Sequence, residues 1–164
     1  QKNLGIPGVT LCIFDKEFPR VKNLPSYLKA ENHIKKNSTF NTPPTFSIYV
    51  MLKILEWIDE TGGIDYIEKI TEKKAKHLYD FLDENIKKLT LNVPKEYRSY
   101  SNIVFDFKNQ KQTSLFLEES INKGFIGLNG HRSVGGIRVS NYNSIDFAMI
   151  EEFTQHLDSF LSNN

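Results

Sequence analysis

Runs of apolar residues at two different spacings divide this chain into extended and helical segments. Residues 9–14, VTLCIF, form a short β-branched and apolar run after a turn that contains glycine and proline, and they predict a buried strand. Residues 18–40 are mixed and polar, without a clear period. A loop of that length is often functional.

A helix is predicted to begin within NTPPT, residues 41–45, with Thr42 as its N-cap and Pro43 in its first turn. It should run to about Glu60 and end at Gly62-Gly63. Apolar residues cover much of its circumference, which is typical of a largely buried helix.

A second helix is predicted over residues 65–87, with a narrower apolar stripe beside many charges. This pattern is typical of an amphipathic helix on a surface. The charge cluster EKKAK, residues 72–76, is predicted to be its solvated face.

From Tyr100 onward the pattern changes to short alternating elements. The predicted strands cover 102–107, 125–128 and 136–140, and the predicted helices cover 112–123 and 145–161. The last helix is expected to be capped by Asn143 or Ser144. The alternation indicates a compact two-layer α+β unit, and we place the division of the chain near residues 60–65.

The composition, with 39% hydrophobic and 25% charged residues, is typical of a soluble globular protein. A net charge of +1 gives no electrostatic reason to expect binding to nucleic acid or to a membrane. No apolar run is long enough to span a bilayer, and the start of the chain does not resemble a secretory signal. We therefore expect a cytoplasmic protein, with the single cysteine, Cys12, buried in the core.

Because the first residues already resemble the interior of a site and no methionine precedes them, we also expect a fragment of a longer protein.

The segment GHRSVGGIRVS, residues 130–140, groups basic side chains among glycines. His131 and Arg132 occupy the predicted turn, and Arg138 lies on the strand that follows. Histidine and arginine donors near exposed backbone suit an oxyanion such as phosphate, and a second arginine could hold a carboxylate through two parallel hydrogen bonds. The chain has only four arginines, so two in one segment favour a role for their forked donors. A glycine-rich hairpin with exposed basic residues would show the same pattern.

Two further segments could carry chemistry. The start of the helix at NTPPT offers unpaired backbone N–H groups to a phosphate, although an ordinary capped helix has the same sequence features. In QKNLGIPG, residues 1–8, Lys2 lies in a Gly/Pro turn beside the predicted strand. A lysine there could react with a carbonyl cofactor, or it could be an ordinary surface lysine.

Taken in order and at these spacings, QKN, NTPPT and GHRSVGG-x-R resemble the phosphoserine aminotransferase family. WIDETGG, EKITEKKAKHLYDFLD and KGFIGLNG resemble it as well, so the similarity covers nearly the whole chain. The HRSVGG-x-R element separates this family from other aminotransferases of the same fold type.

The resemblance implies the carboxy-terminal half of a fold-type I, α/β enzyme that depends on pyridoxal 5′-phosphate (PLP) and has a small α+β domain. Residues 1–62 would end the large PLP-binding domain, and residues 63–164 would form the small domain. The implied reaction transfers the amino group of glutamate to 3-phosphohydroxypyruvate, in serine biosynthesis. The implied assembly is a homodimer with shared active sites, and no metal site is predicted.

The resemblance also assigns roles to single residues. Lys2 would bond covalently to PLP, with Gln1 touching the cofactor. Asn41 and Thr42 would bind the cofactor phosphate across the dimer interface. The substrate phosphate would be bound by His131 and Arg132, and the substrate α-carboxylate would be bound by Arg138.

The amino-terminal residues that the family uses around the cofactor ring are not in this chain, so we expect the chain alone to be inactive and to hold PLP weakly. Two alternatives remain open at this point. The chain could come from another fold-type I aminotransferase or a cysteine desulfurase, or it could be a non-catalytic module for anion binding or dimerisation.

Overall fold

A computed structural model of the chain describes residues 2–15, 17, 21 and 23–163. The chain divides into two compact units, Gln1–Glu60 and Thr61–Asn164. Within the described residues, no helix is both long and apolar enough to cross a membrane.

The first unit contains a 3-10 turn, Ser26–Leu28, and the helices α1, Ala30–Lys35, and α2, Thr45–Thr61. The first helical hydrogen bond of α2 runs from the amide of Ile48 to the carbonyl of Pro44, at 3.1 Å. The predicted N-cap at Thr42 is therefore wrong. Pro43 cannot begin the helix, because it is followed by Pro44 and a residue before proline avoids helical backbone angles. The helix ends at Thr61 and is followed by Gly62, whose φ of +123° suits glycine.

The strand predicted at 9–14 is wrong, since residues 9–15 have no regular secondary structure. Ile13 is 87% exposed, and Cys12 is exposed rather than buried. A strand is stable only when a neighbouring strand takes up its backbone hydrogen bonds. The described part of the first unit contains no strand that could do so.

The prediction that α2 is largely buried is also wrong. Of its residues only Ser47 and Ile58 are buried. The large apolar side chains that it exposes are Phe46, Ile48, Tyr49, Leu52, Leu55 and Trp57. The helix has the predicted apolar surface, but the described segments of the first unit leave that surface uncovered.

The second unit is built on a three-stranded antiparallel sheet in the order β1-β2-β3. The strands are β1, Leu89–Thr90, β2, Asn102–Phe107, and β3, Ile137–Ser140. Burial alternates along β2 and β3, as the period of two in a strand requires. The buried side chains of the sheet are Leu89, Ile103, Phe105, Phe107, Ile137 and Val139.

Three helices enclose this core: α3, Gly63–Glu84, α4, Gln110–Asn122, and α5, Phe147–Asn163. Their buried apolar residues join those of the sheet in one cluster, which includes Leu78, Leu82, Phe116, Phe153, Leu157 and Phe160. The predicted mixture of helix and sheet is confirmed. The N-cap of α5 is Asp146, whose carboxylate accepts the amide hydrogen of Met149 at 2.8 Å, rather than Asn143 or Ser144.

The strand predicted at 125–128 is wrong. Only Asn129 forms a bridge to Ile137, and the amide of Arg138 donates to the carbonyl of Leu128 at 2.8 Å. Gly127 has a φ of +80°, which interrupts an extended segment.

The charge cluster at 72–76 is not simply a solvated face. Lys74 is 1% exposed and Ala75 is fully buried. The Lys74 ammonium donates to the carbonyls of Tyr142, at 3.0 Å, and Ile145, at 2.6 Å. This prediction failed because a buried ammonium is stable when carbonyl oxygens solvate it in place of water.

Candidate functional site

The turn that carries Lys2 is held against the first turns of α2. Lys2 is exposed, has a φ of +86° and donates its amide hydrogen to the carbonyl of Gly5 at 3.2 Å. A Cβ added at Gly5 would lie 3.7 Å from the backbone of Met51, and one at Gly8 would lie 2.6 Å from Ser47 Oγ. Gly8 therefore allows the turn to approach the helix closely, whereas Gly5 is required by its φ of +145° rather than by lack of space.

Ser47 connects this turn to the helix, and this role was not predicted from the sequence. Its side chain is buried, and its hydroxyl donates to the carbonyl of Pro7 at 3.1 Å. A serine among the apolar residues of a helix was the only sequence signal for this contact. The hydrogen bond from Ser47 fixes the Pro7 end of the turn on the helix, and Lys2 lies at the other end of the turn.

The start of α2 presents donors that fit a phosphate group. Asn41 and Thr42 are exposed, and their side chains form no hydrogen bond within the described residues. In the same part of the chain, the amides of Phe46 and Ser47 have no acceptor, as expected in the first turn of a helix. The donors are neutral, so the positive end of the helix dipole supplies the attraction for an anion. Gln1, the other predicted cofactor residue, lies outside the described residues.

In the second unit, residues 130–136 form a closed loop before β3. The amide of Gly130 donates to the carbonyl of Gly136 at 2.9 Å. The amides of Val134 and Gly135 both donate to the carbonyl of His131, at 2.9 and 2.8 Å. A Cβ at position 130 would lie 1.8 Å from the carbonyl oxygen of Gly135, so only glycine fits there.

His131 and Arg132 are exposed at the tip of this loop. The Nδ1 atom of His131 lies 2.7 Å from the hydroxyl of Ser133 and accepts the amide hydrogen of Ser133 at 3.3 Å. The ring is thereby oriented through Nδ1, which leaves Nε2 to face other partners.

Arg138 lies on β3 directly opposite Val104 of β2. It is half-buried, and its Nε atom is buried without a hydrogen-bond partner in the described chain. A buried guanidinium nitrogen without a partner costs free energy, so the position suits an acceptor that is supplied by a ligand. A carboxylate could accept from two of the guanidinium N–H groups at once.

The electrostatics of this segment favour anions. Neither Arg132 nor Arg138 forms an ion pair with any described residue. The acidic residue of β2, Asp106, accepts hydrogen bonds from Thr113 at 2.5 Å and from Gln110 at 3.2 Å. The two guanidinium charges thus have no carboxylate partner among the described residues.

The predicted site residues fall into two groups. Lys2, Asn41 and Thr42 belong to the first unit, and the second unit holds all those of the segment from His131 to Arg138. Within the described part of the chain, no three His, Cys, Asp or Glu side chains are arranged to hold a metal ion.

Residues 1–153 match the family described as aminotransferase class-V. A phosphoserine aminotransferase of Shouchella clausii is 42% identical over 162 residues, which is 98% of this chain and 44% of that protein. For that of Bacillus subtilis the identity is 38%, over all of this chain and 46% of the relative. The chain therefore spans less than half the length of these curated relatives.

Solved structures are similar as well. A structure titled for radiation damage of the Schiff base in phosphoserine aminotransferase has a TM-score of 0.84 and 39% identity, covering 88% of this chain and 41% of that one. A PLP-bound phosphoserine aminotransferase from Trichomonas vaginalis has a TM-score of 0.77 and 29% identity, over 85% of this chain and 40% of that one.

Proposed function

Since this chain belongs to the class-V aminotransferase family, we propose that it supplies the cofactor-bonding lysine and the substrate-anion site of a phosphoserine aminotransferase. The whole enzyme transfers the amino group of glutamate to 3-phosphohydroxypyruvate and forms 3-phosphoserine and 2-oxoglutarate. Its cofactor is PLP, it acts as a cytoplasmic homodimer, and its reaction belongs to serine biosynthesis.

The observation that carries this proposal is the segment from His131 to Arg138. Among the described residues, Arg132 and Arg138 have no carboxylate partner, and the buried Nε atom of Arg138 has no acceptor. Two separated cationic groups match a substrate with a phosphate at one end and a carboxylate at the other. Glutamate fits the same pair, because its distal carboxylate can take the place of the phosphate.

Each residue then has one task. Arg138 holds the α-carboxylate, and His131 and Arg132 hold the phosphate, so the substrate is gripped at both ends and its Cα–H bond is oriented. As a general base, the Lys2 amine takes the proton from Cα of the amino donor. As a general acid, it later gives a proton to Cα of the amino acceptor. Asn41, Thr42 and the first amides of α2 hold the cofactor phosphate. When bound, PLP supplies the carbonyl carbon that receives the amino group and a ring that withdraws electrons.

The role of Lys2 is tested on the full-length, PLP-loaded protein. Borohydride reduction followed by peptide mapping should place the cofactor on Lys2. Attachment to any other lysine would contradict the assignment.

The phosphate end is tested with Arg132→Gln in the same protein. Loss of one charged hydrogen-bonding partner should raise the KM for phosphoserine by about 10-fold to 100-fold and change that for glutamate less. Lys111→Gln removes the same charge from an exposed position on α4 and is the matched control. Equal effects of the two substitutions would refute the phosphate role of Arg132.

The 164-residue chain spans less than half of its relatives, and it is expected to show no turnover when it is assayed by itself with PLP. Phosphoserine-dependent formation of glutamate by this chain alone would contradict that expectation.

A further inference from the structure

One backbone hydrogen bond indicates which ring nitrogen of His131 carries the proton. The backbone amide of Ser133 points at Nδ1, with a nitrogen-to-nitrogen distance of 3.3 Å. A backbone amide can only donate, so Nδ1 must offer a lone pair. In the neutral ring the proton therefore lies on Nε2.

The side chain of Ser133 fits this assignment. Its hydroxyl oxygen lies 2.7 Å from the same Nδ1 atom, and a hydroxyl can rotate to donate to a nitrogen that carries no proton. In the tautomer that the backbone amide selects, the hydroxyl is then a second donor to Nδ1. A proton on Nδ1 would face the amide hydrogen of Ser133 and would break that hydrogen bond.

We propose that Ser133 is a positioning residue that holds His131 in the tautomer protonated at Nε2, so that the ring offers a neutral N–H donor to the substrate phosphate. This proposal rests on the proposed function for the identity of the acceptor. The tautomer itself follows from the loop and does not depend on the substrate.

The backbone of the loop keeps this arrangement in place before any substrate binds. The His131 carbonyl accepts two amide hydrogens, from Val134 and Gly135, so the backbone on both sides of Ser133 is fixed. A donor held in advance loses little conformational freedom when the anion arrives. Arg132 then supplies a positive charge, and His131 supplies a hydrogen-bond donor whose direction is fixed.

The tautomer is measured directly on the 164-residue chain labelled with ¹⁵N-histidine. The nitrogen shifts and the couplings to ring hydrogens distinguish a protonated from an unprotonated ring nitrogen, and His131→Gln identifies the signals. In its neutral form, the His131 ring should show an unprotonated Nδ1 and a protonated Nε2. In Ser133→Ala, which keeps the amide but lacks the hydroxyl, the second tautomer should become visible. A proton on Nδ1 in the unsubstituted chain would overturn the proposal.

A kinetic comparison in the full-length enzyme tests the consequence for the substrate. Ser133→Ala should raise the KM for phosphoserine by about 3-fold to 10-fold, with a smaller change in kcat, because one neutral hydrogen bond that aims the ring is lost. Ser133→Thr restores a hydroxyl and should recover most of the affinity. Ser162→Ala changes an exposed serine near the end of α5 and is the matched control. A KM for Ser133→Ala equal to that of the control would refute the positioning role.

Two replacements of His131 separate this proposal from the proposed function. A glutamine amide reaches about as far as Nε2, whereas an asparagine amide reaches only as far as Nδ1. His131→Asn should therefore lose about 10-fold more phosphoserine affinity than His131→Gln. Equal losses in the two variants would favour a cationic histidine and overturn the neutral-donor proposal. If neither variant loses affinity while the measured tautomer is as expected, the phosphate contact in the proposed function is wrong.

Discussion

Replacing Lys74 by methionine should destabilise the second unit, although this lysine lies in a segment crowded with other charges. Its ammonium is the donor for the carbonyls of Tyr142 and Ile145, which lie in the connection between β3 and α5. Burial lowers the pKa of Lys74, and the carboxylate of Asp146 opposes that shift. Methionine fills a similar volume but cannot donate.

The magnitude follows from the Ile145 carbonyl. The Tyr142 carbonyl also accepts the amide hydrogen of Ile145, at 3.0 Å, and keeps that bond in the variant. The Ile145 carbonyl loses its donor, and a buried acceptor without a partner costs about 1–3 kcal/mol. Loss of the charged hydrogen bond to Tyr142 adds to this cost, and relief of the desolvation of a buried ammonium offsets part of it. The expected net decrease in the free energy of unfolding is about 1–3 kcal/mol.

Urea unfolding of the chain, followed by far-UV circular dichroism, measures this decrease as a shift of the midpoint at unchanged slope. Lys76→Met is the matched control, because the Lys76 ion pair with Asp80 is exposed on both sides and contributes little. If the two variants unfold at the same urea concentration, the buried hydrogen bonds of Lys74 do not stabilise the fold.

Three further predictions concern charge and backbone. Asp83→Asn should cost about 1–2 kcal/mol near neutral pH, because the paired Arg98 guanidinium holds the pKa of Asp83 down at about 2. That stability is present above pH 3.8 and is lost as the pH falls towards about 2, so acid titrations of the two proteins should converge there. Burial lowers the pKa of His156 below 6.5, so stability should be complete above that pH and should fall as the pH decreases below it, which urea midpoints measured across this range would show. Gly130→Ala should raise the KM for phosphoserine, because its Cβ would lie 1.8 Å from the carbonyl oxygen of Gly135.

Each of these predictions has a control in the same chain. Asp80→Asn removes a carboxylate from the exposed pair with Lys76 and should have little effect. His156→Phe should unfold with a flatter pH dependence than His77→Phe, and equal slopes would refute the role of His156. At Gly127 an added Cβ meets nothing within 4 Å, so Gly127→Ala strains the backbone without disturbing the loop, and an equal rise in KM would contradict the steric argument.

Local pattern predicted the second unit better than the first, for a physical reason. The alternating residues of β2 and the apolar stripe of α5 are covered by elements of their own unit, so the pattern and the burial agree. Residues 9–14 and α2 have equally apolar sequences. In the described part of their unit, however, residues 9–14 have no neighbouring strand to pair with, and no element covers the apolar surface of α2. Sequence pattern states which surfaces favour burial, and it does not state whether a partner is present.

The burial of Lys74 could have been anticipated from spacing rather than residue type. It lies four residues before Leu78 and eight before Leu82, on the same face of α3 as these two buried leucines. The charge cluster shows only which residue types are present, whereas the helical period shows which side of the helix each residue faces. The helical period predicts that Lys74 is buried, but the carbonyl groups that stabilise its ammonium are seen only in the structure.

The arginines show what sequence can and cannot say about the candidate site. Few arginines among many lysines indicated that their forked donors are used, and Arg98 is an example, with two hydrogen bonds to Asp83 at 2.9 and 2.8 Å. That arginine is structural, so residue type alone does not separate a binding arginine from a stabilising one. The difference is that Arg98 has a carboxylate within its own fold, whereas Arg132 and Arg138 have none among the described residues. A forked cation without an internal acid is therefore the physical criterion that supports assigning these two arginines to a substrate.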